Sequence, residues 1–100
     1  MSTDKTTVER MTEKYRDLIF RFANRKIPVE EFEAAYLRLF KHDKDQVSGP
    51  EFNTLEKLFF AVDDYVADPR LRQAVRGLDE EQLRDCARDT YRRLYPGLDR

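Results

Sequence analysis

Apolar residues recur at steps of three and four along four stretches of the chain, which is the spacing of an amphipathic helix. The third stretch shows this most clearly, and its apolar stripe consists of Phe52, Leu55, Phe59, Val62 and Val66. No stretch shows the strict alternation of a half-buried strand. The pattern predicts an all-α fold, with helices over about Val8 to Asn24, about Val29 to Lys41, from Ser48 to about Val66, and from the Asp79 cap to just before Pro96.

Residues that start and stop helices mark the limits of these stretches, because every glycine and every proline falls at a predicted boundary. Capping-box spacing occurs at Thr6–Glu9, Ser48–Glu51 and Asp79–Gln82. Asp68 before a proline predicts an N-cap and a short helical segment from about Pro69 to Val75, which Gly77 terminates. We therefore expect an antiparallel four-helix bundle with a short extra helical segment between helices three and four.

The chain has 100 residues, of which 40% are apolar and 12% aromatic, enough to form one core without tryptophan. We expect a single domain over residues 1–100, with residues 1–6 as a flexible N-terminal tail, and we assume a monomer. The N-terminus lacks the apolar run of a secretory signal, and no segment approaches the roughly 20 apolar residues that cross a bilayer. The lone Cys86 has no disulfide partner, so these features predict a cytoplasmic protein without membrane contact.

Charge is distributed unevenly along the chain, although the net charge is only −1. Residues 27–69 carry four basic and ten acidic side chains, whereas the segments before and after them have net charges of +3 and +2. An acidic middle repels the phosphates of nucleic acids and attracts a cationic protein surface. We therefore expect a basic protein partner and no direct contact with nucleic acid.

The sequence contains no convincing motif for catalysis, cofactor binding or metal binding, because no serine or cysteine is paired with a base and no glycine-rich loop could hold phosphate. His42 is the only histidine, whereas a zinc site needs about four ligands. The segment Asp43–Gly49 superficially resembles an EF-hand loop, but Val47 and Thr54 would occupy ligand positions 5 and 12. Cys86 lies on an apolar stripe, where core packing is its expected role. We expect no enzyme, no cofactor and no metal site.

Three carboxylates collect where the third predicted helix ends, namely Asp63, Asp64 and Asp68. Asp68 has a structural role available as an N-cap, and the other two could lie on the solvated side of the helix. Acids near a helix C-terminus meet an unfavourable dipole, which costs roughly 0.3–1 kcal/mol each. A cost of this kind at the surface favours a binding role for Asp63 and Asp64.

From about Leu18 to Leu94 the chain resembles the bacterial self-protective colicin-like immunity proteins, the family that includes the colicin D immunity protein. Three stretches carry the resemblance: IPVEEFEAAYLRLF at residues 27–40, LEKLFFAVDDYVADP at residues 55–69 and LDEEQLRDCARDTYRRL at residues 78–94. None of them is a catalytic fingerprint, so the resemblance depends on their order and spacing.

The resemblance implies a small four-helix bundle that binds the C-terminal nuclease domain of a cognate bacteriocin or contact-dependent toxin, typically a tRNase. In this family's picture, acidic side chains occupy the toxin's basic substrate cleft and stand in for phosphates. The best candidates for toxin contact in this chain are Asp63 and Asp68, with Asp64 beside them. The weaker candidates are Asp43, Asp45, Glu51 and Glu56.

Two alternatives remain open at the level of the sequence. One is a helical adaptor or regulatory subunit unrelated to toxins, which would use an exposed helical face. The other is a nucleic-acid-binding module using the arginines of the C-terminal third: Arg70, Arg72, Arg76, Arg84, Arg88, Arg92 and Arg93. Asp85 and Asp89 interleave the arginines of the fourth helix, however, and ion pairing within the helix explains much of that pattern.

Overall fold

The fold is shown by a computed structural model, which describes residues 5–96 of the chain. Five helices occur in this range: α1 (Lys5–Ala23), α2 (Val29–His42), α3 (Pro50–Asp64), α4 (Pro69–Val75) and α5 (Glu80–Leu94). Residues 5–96 contain no strand, and the only β-type pairing there is an isolated bridge between Tyr65 and Leu78. The predicted all-α class is confirmed.

The four long helices form a closed ring, in which α1 packs on α2, α2 on α3, α3 on α5, and α5 back on α1. Two contacts show that α1 and α5 are antiparallel. Arg84 near the start of α5 reaches the carbonyl of Phe22 at the end of α1, and Tyr95 just after α5 reaches the carbonyl of Thr12 near the start of α1. The helices thus form the predicted antiparallel four-helix bundle, with α4 as the extra segment.

Aromatic rings fill much of the core between α1, α2 and α3. The rings of Phe22 and Phe32 stack with centroids 4.2 Å apart, and Phe32 contacts Tyr36 at 5.5 Å. Tyr36 is fully buried, and its hydroxyl donates to the backbone carbonyl of Leu55 at 2.8 Å. This bond removes the cost of a buried polar group and ties α2 to the first turns of α3.

Two of the predicted N-caps, Thr6 and Ser48, are wrong. Helix α1 already includes Thr6, so this residue is not its N-cap. The N-cap of α3 is Gly49 rather than Ser48, and it makes no side-chain capping bond. Its φ of 147° is a conformation that only glycine adopts easily, which explains a glycine at this turn. The tail predicted over residues 1–6 stays a prediction, with residues 5 and 6 in α1.

The buried side of α3 is rotated slightly from the predicted stripe. Leu58 and Ala61 are buried against the core, although neither belongs to that stripe. Phe59 and Phe52 are half-buried at its edge, where both rings contact Phe40 of α2. This rotation leaves the opposite side of α3, with Lys57 and Phe60, exposed, whereas Glu56 is half-buried.

Helix α4 lies in a loop over residues 66–78 whose two ends are joined by backbone hydrogen bonds. We call this loop the excursion and the hydrogen bonds that join its ends the clamp. The amide of Val66 donates to the carbonyl of Leu78 at 3.0 Å, and the amide of Leu78 donates to the carbonyl of Asp64 at 2.8 Å. The end of α4 differs from the prediction, because Arg76 adopts the left-handed conformation with φ 57° while Gly77 does not. Gly77 is needed for a different reason, namely the closeness of its backbone to Val66.

Candidate functional site

Most of the acids singled out in the sequence fall into two groups at opposite ends of α3, with Glu56 between them. Asp43 and Asp45 lie in the turn before α3, and Glu51 lies in its first turn. Asp63 and Asp64 lie in its last turn, about 18 Å further along the helix axis. Because α3 is a rigid rod between them, one compact contact centred on Asp63 does not extend to the first group.

Asp43 has a structural role that the sequence did not show. Its side chain is fully buried and accepts hydrogen bonds from Lys14 Nζ and from the Tyr15 hydroxyl, both at 2.6 Å. The backbone amide of Asp45 donates to the same carboxylate at 2.8 Å, and the Asp45 side chain also pairs with Lys14. These bonds hold the end of α2 against α1. Toxin contact by Asp43 and Asp45 stays a prediction, and our proposal below does not use it.

The buried network makes the stability of the fold depend on pH. Burial alone would raise the pKa of Asp43, but the hydrogen bonds from Lys14, Tyr15 and Asp45 outweigh it and lower this pKa. Since the unfolded chain binds a proton more readily, Asp43 stabilises the fold above its unfolded pKa of about 4, and this contribution is lost as pH falls through the lower folded pKa.

Replacing Asp43 with asparagine should therefore lower the free energy of unfolding by about 1 kcal/mol near neutral pH, because an amide is a weaker acceptor. The gap between the two proteins should close as the pH falls from about 5 to about 2. Urea unfolding followed by circular dichroism at several pH values measures this. Asp17→Asn, at a side chain 73% exposed on α1, serves as the control and should follow the wild-type pH profile. A constant gap for Asp43→Asn would contradict the assignment.

The outward face of α3 near its C-terminus carries several acids. Asp63 and Asp64 are exposed, and among the side chains of residues 7–96 no ion pair or hydrogen bond involves them or Glu56. The last turn of α3 contains no basic residue to offset the helix dipole. Phe60 lies between these acids on the same face and is 55% exposed. The structure thus brings Glu56, Asp63 and Asp64 together around an exposed aromatic ring.

Asp68 stands apart from this face as the N-cap of α4. Its carboxylate accepts the backbone amide of Arg70 at 2.9 Å, so the predicted capping role is confirmed. No residue of α4 is buried, and its Leu71 and Val75 are 52% and 57% exposed. Arg72 turns back and donates to the carbonyl of Val66 at 2.9 Å. Asp68 therefore combines a structural role with an exposed position on the clamped excursion.

Two further acids at this end of the bundle were missed by sequence reasoning, which searched α3 and its flanks. Glu30 and Glu33 in α2 have no cationic partner in the part of the chain that the structure describes. Burial and the negative charge of Glu30 raise the pKa of Glu33. The pKa of Tyr65 is also raised, by burial first and then by the negative charges of Glu30, Glu80 and Glu33. The start of α2, with Glu30 and Glu33, lies beside the end of α3 because the two helices pack antiparallel. We call Glu30, Glu33, Asp63, Asp64 and Asp68 the acidic end.

Three arginines of α5 form ion pairs with acidic residues of the same helix. Arg84 is buried, with its side chain 3% exposed, and donates to Phe22, Glu80 and Glu81. Arg88 pairs with Asp85 at 2.9 Å and Arg93 with Asp89 at 2.7 Å. The ion pairing that the sequence predicts for this helix is confirmed, and Arg84 cannot contribute to a nucleic-acid surface.

A groove of about 220 Å³ runs between α3 and α5 and is lined by Lys57, Asp85 and Cys86, among others. Cys86 is half-buried and packs against the core, as predicted, and burial raises the pKa of its thiol, which makes it less reactive. Over residues 5–96, no three potential metal ligands come together. In the same range, no helix has the length and apolar character needed to cross a bilayer.

The fold and its surfaces define a small helical bundle whose distinctive chemistry is an exposed acidic face, the kind of surface that binds another protein. A family model described as bacterial self-protective colicin-like immunity matches residues 11–94. The chain therefore belongs to this family of toxin-inhibiting immunity proteins, and the resemblance seen in the sequence is confirmed. No curated protein and no solved structure matches the chain.

Proposed function

We propose that this protein inhibits the C-terminal nuclease domain of a cognate bacteriocin or contact-dependent toxin, a tRNase, by placing the acidic end in the toxin's basic substrate cleft. The observation that carries the proposal is the set of exposed carboxylates on α3 that no cationic side chain of residues 7–96 neutralises. A nuclease cleft must be cationic to bind RNA phosphates. It therefore provides positive charges with which these carboxylates can pair. Binding there would exclude the substrate without any catalytic step.

The scaffold suits this role because it fixes the carboxylates before binding. Asp63 and Asp64 belong to a helix that packs on both α2 and α5, so little backbone freedom would be lost in the complex. The clamp between Val66 and Leu78 likewise fixes both ends of the excursion that carries Asp68. Carboxylates held in place also speed encounter with a basic surface, and this effect weakens as salt increases.

The direct test is calorimetric titration with a catalytically disabled C-terminal domain of the toxin encoded next to this gene, at low and high salt. We expect tight one-to-one binding that weakens with salt. Absence of binding to a folded toxin domain would contradict the pairing with that toxin. A partner captured from host lysate that is unrelated to toxins would instead support the alternative of a helical adaptor.

Within this complex, the double variant Asp63→Asn with Asp68→Ser should weaken binding at least about tenfold. Serine keeps the N-cap of α4, whereas alanine at position 68 would remove the cap together with the charge. Helical circular dichroism should therefore stay unchanged. The matched control is Glu13→Gln with Asp17→Asn, which removes two exposed carboxylates from α1, away from the acidic end. Equal affinity of both double variants would contradict the proposed site.

A further inference from the structure

Phe60 is the most exposed aromatic side chain among residues 7–96. It is 55% exposed, whereas the only other large aromatic exposed in residues 5–96, Phe20, is 40% exposed. A phenylalanine in this position gives up the burial that would stabilise the fold. Single exposed apolar residues are common, so exposure alone does not assign a role to Phe60.

The ring of Phe60 packs against a series of aromatic rings that leads into the core. It meets the ring of Phe59 edge to face at 5.7 Å, and Phe59 stacks on Phe40 at 4.5 Å. Phe40 in turn contacts Tyr36, which is fully buried in the core. A continuous series of rings therefore connects Phe60 to the core, so its orientation is restricted before any partner binds. Preorganised aromatic side chains of this kind lose little entropy on binding.

Three acids flank this ring along the same helix, and none of them pairs with a cation among the side chains of residues 7–96. Glu56 lies four residues before Phe60, and Asp63 and Asp64 lie three and four residues after it, spacings that bring side chains together on a helix. Lys57 lies three residues before Phe60 and lines the groove towards α5 with Asp85. The three carboxylates outnumber this one cation, so the ring has a mostly negative rim, which matches an apolar pocket with a basic rim.

We propose that Phe60 is the apolar anchor of the toxin interface, and that its ring enters an apolar pocket within the cationic surface of the cognate nuclease domain. This inference rests on the proposed function and deepens it by separating two tasks. The carboxylates of the acidic end attract and orient the toxin and so govern the association rate. The buried ring of Phe60 governs how long the complex lasts, because central aromatic anchors with a polar rim dominate dissociation.

Stopped-flow or surface-plasmon kinetics with the catalytically disabled toxin domain can separate these tasks. Phe60→Ala should raise the dissociation rate constant at least about tenfold and change the association rate constant by less than about twofold. Asp63→Asn with Asp68→Ser should instead lower the association rate and flatten its salt dependence. Circular dichroism should show both variants folded, since Phe60 is largely exposed.

The chain offers a matched control at Phe20 in α1. Its ring is also exposed and rests on one other ring, that of Tyr91, at 5.5 Å. It lies diagonally across the bundle from α3, because α1 packs mainly on α2 and α5. Phe20→Ala removes the same side chain at a comparable exposure, and its complex should dissociate at the wild-type rate.

The outcomes distinguish this inference from the proposal beneath it. If the wild-type protein binds the toxin domain but Phe60→Ala leaves the dissociation rate unchanged, the anchor is wrong and the proposed function stands. If Phe20→Ala raises the dissociation rate as much as Phe60→Ala does, the effect is not specific to the acid-rimmed face and the anchor is again wrong. If the wild-type protein does not bind at all, both proposals fail together.

Discussion

Replacing Arg84 with alanine should lower the free energy of unfolding by about 3 kcal/mol, the largest effect that we expect from any single charged residue of this protein. The guanidinium donates to the carbonyl of Phe22 at 3.1 Å, to Glu81 at 2.8 Å and to Glu80 at 2.9 Å. It also lies over the ring of Phe22 at 4.7 Å from the centroid. Its position at the end of α1 is favourable for a cation because the helix dipole is negative there.

The magnitude follows from what each partner can do after the substitution. Glu80 and Glu81 are about half exposed, so water replaces their lost partner and the cost at those two groups is small. The Phe22 carbonyl keeps the bond from the Arg25 amide at 3.1 Å. The main losses are the packing of a side chain that is 3% exposed and the charge-assisted bond to the Phe22 carbonyl, which links α5 to α1.

Urea unfolding followed by circular dichroism measures this change. Arg84→Lys keeps the charge but not the planar fork, and it should lose more than half as much stability as Arg84→Ala. Arg93→Ala is the control, since this side chain is 62% exposed and its pair with Asp89 is worth roughly 0–1 kcal/mol. If Arg84→Ala cost no more than Arg93→Ala, the structural role assigned to Arg84 would be wrong.

Arg84 also shows why secondary structure is easier to predict from the sequence than side-chain contacts are. Its spacing with Arg88 and Arg92 looks the same whether the arginines bind nucleic acid or the protein itself. The carbonyl that distinguishes these cases belongs to Phe22, 62 residues earlier in the chain. Helix limits, by contrast, depend on neighbouring residues, and so α4 and the Asp79 capping box follow directly from local patterns.

Contacts between residues far apart in the chain also distinguish the predicted acids from one another. Asp43 and Asp63 are the same residue type, and both lie near the predicted end of a helix. Only the fold brings Lys14 and Tyr15 to Asp43 and leaves Asp63 without a cation in the described residues. Glu33 joins the acidic end for a similar reason, since the antiparallel packing places the start of α2 beside the end of α3. The local charge pattern could therefore indicate Asp63 but not exclude Asp43 or include Glu33.

Replacing Gly77 with alanine should lower the free energy of unfolding by about 2 kcal/mol and loosen the excursion that carries Asp68. A Cβ atom at this position would lie 2.5 Å from Val66 Cγ2 and 2.8 Å from the carbonyl oxygen of Asp64. Neither neighbour moves easily, because valine is restricted at χ1 and the Asp64 carbonyl accepts the Leu78 amide at 2.8 Å. The added methyl group must therefore open the clamp between Val66 and Leu78.

Hydrogen exchange should locate this loss, because the amides of Val66 and Leu78 would exchange faster while that of Leu55 in the core would change only with global stability. The neighbouring substitution Arg76→Gly provides a control of opposite sign. Arg76 has φ 57°, a conformation that glycine adopts at lower cost, so this change should be neutral or stabilising by up to about 1 kcal/mol. If Arg76→Gly destabilised the fold as much as Gly77→Ala does, the loss would not be specific to the contact between position 77 and Val66. If the clamp does open in Gly77→Ala, toxin affinity should fall as well, because the backbone that positions Asp68 would be less fixed before binding.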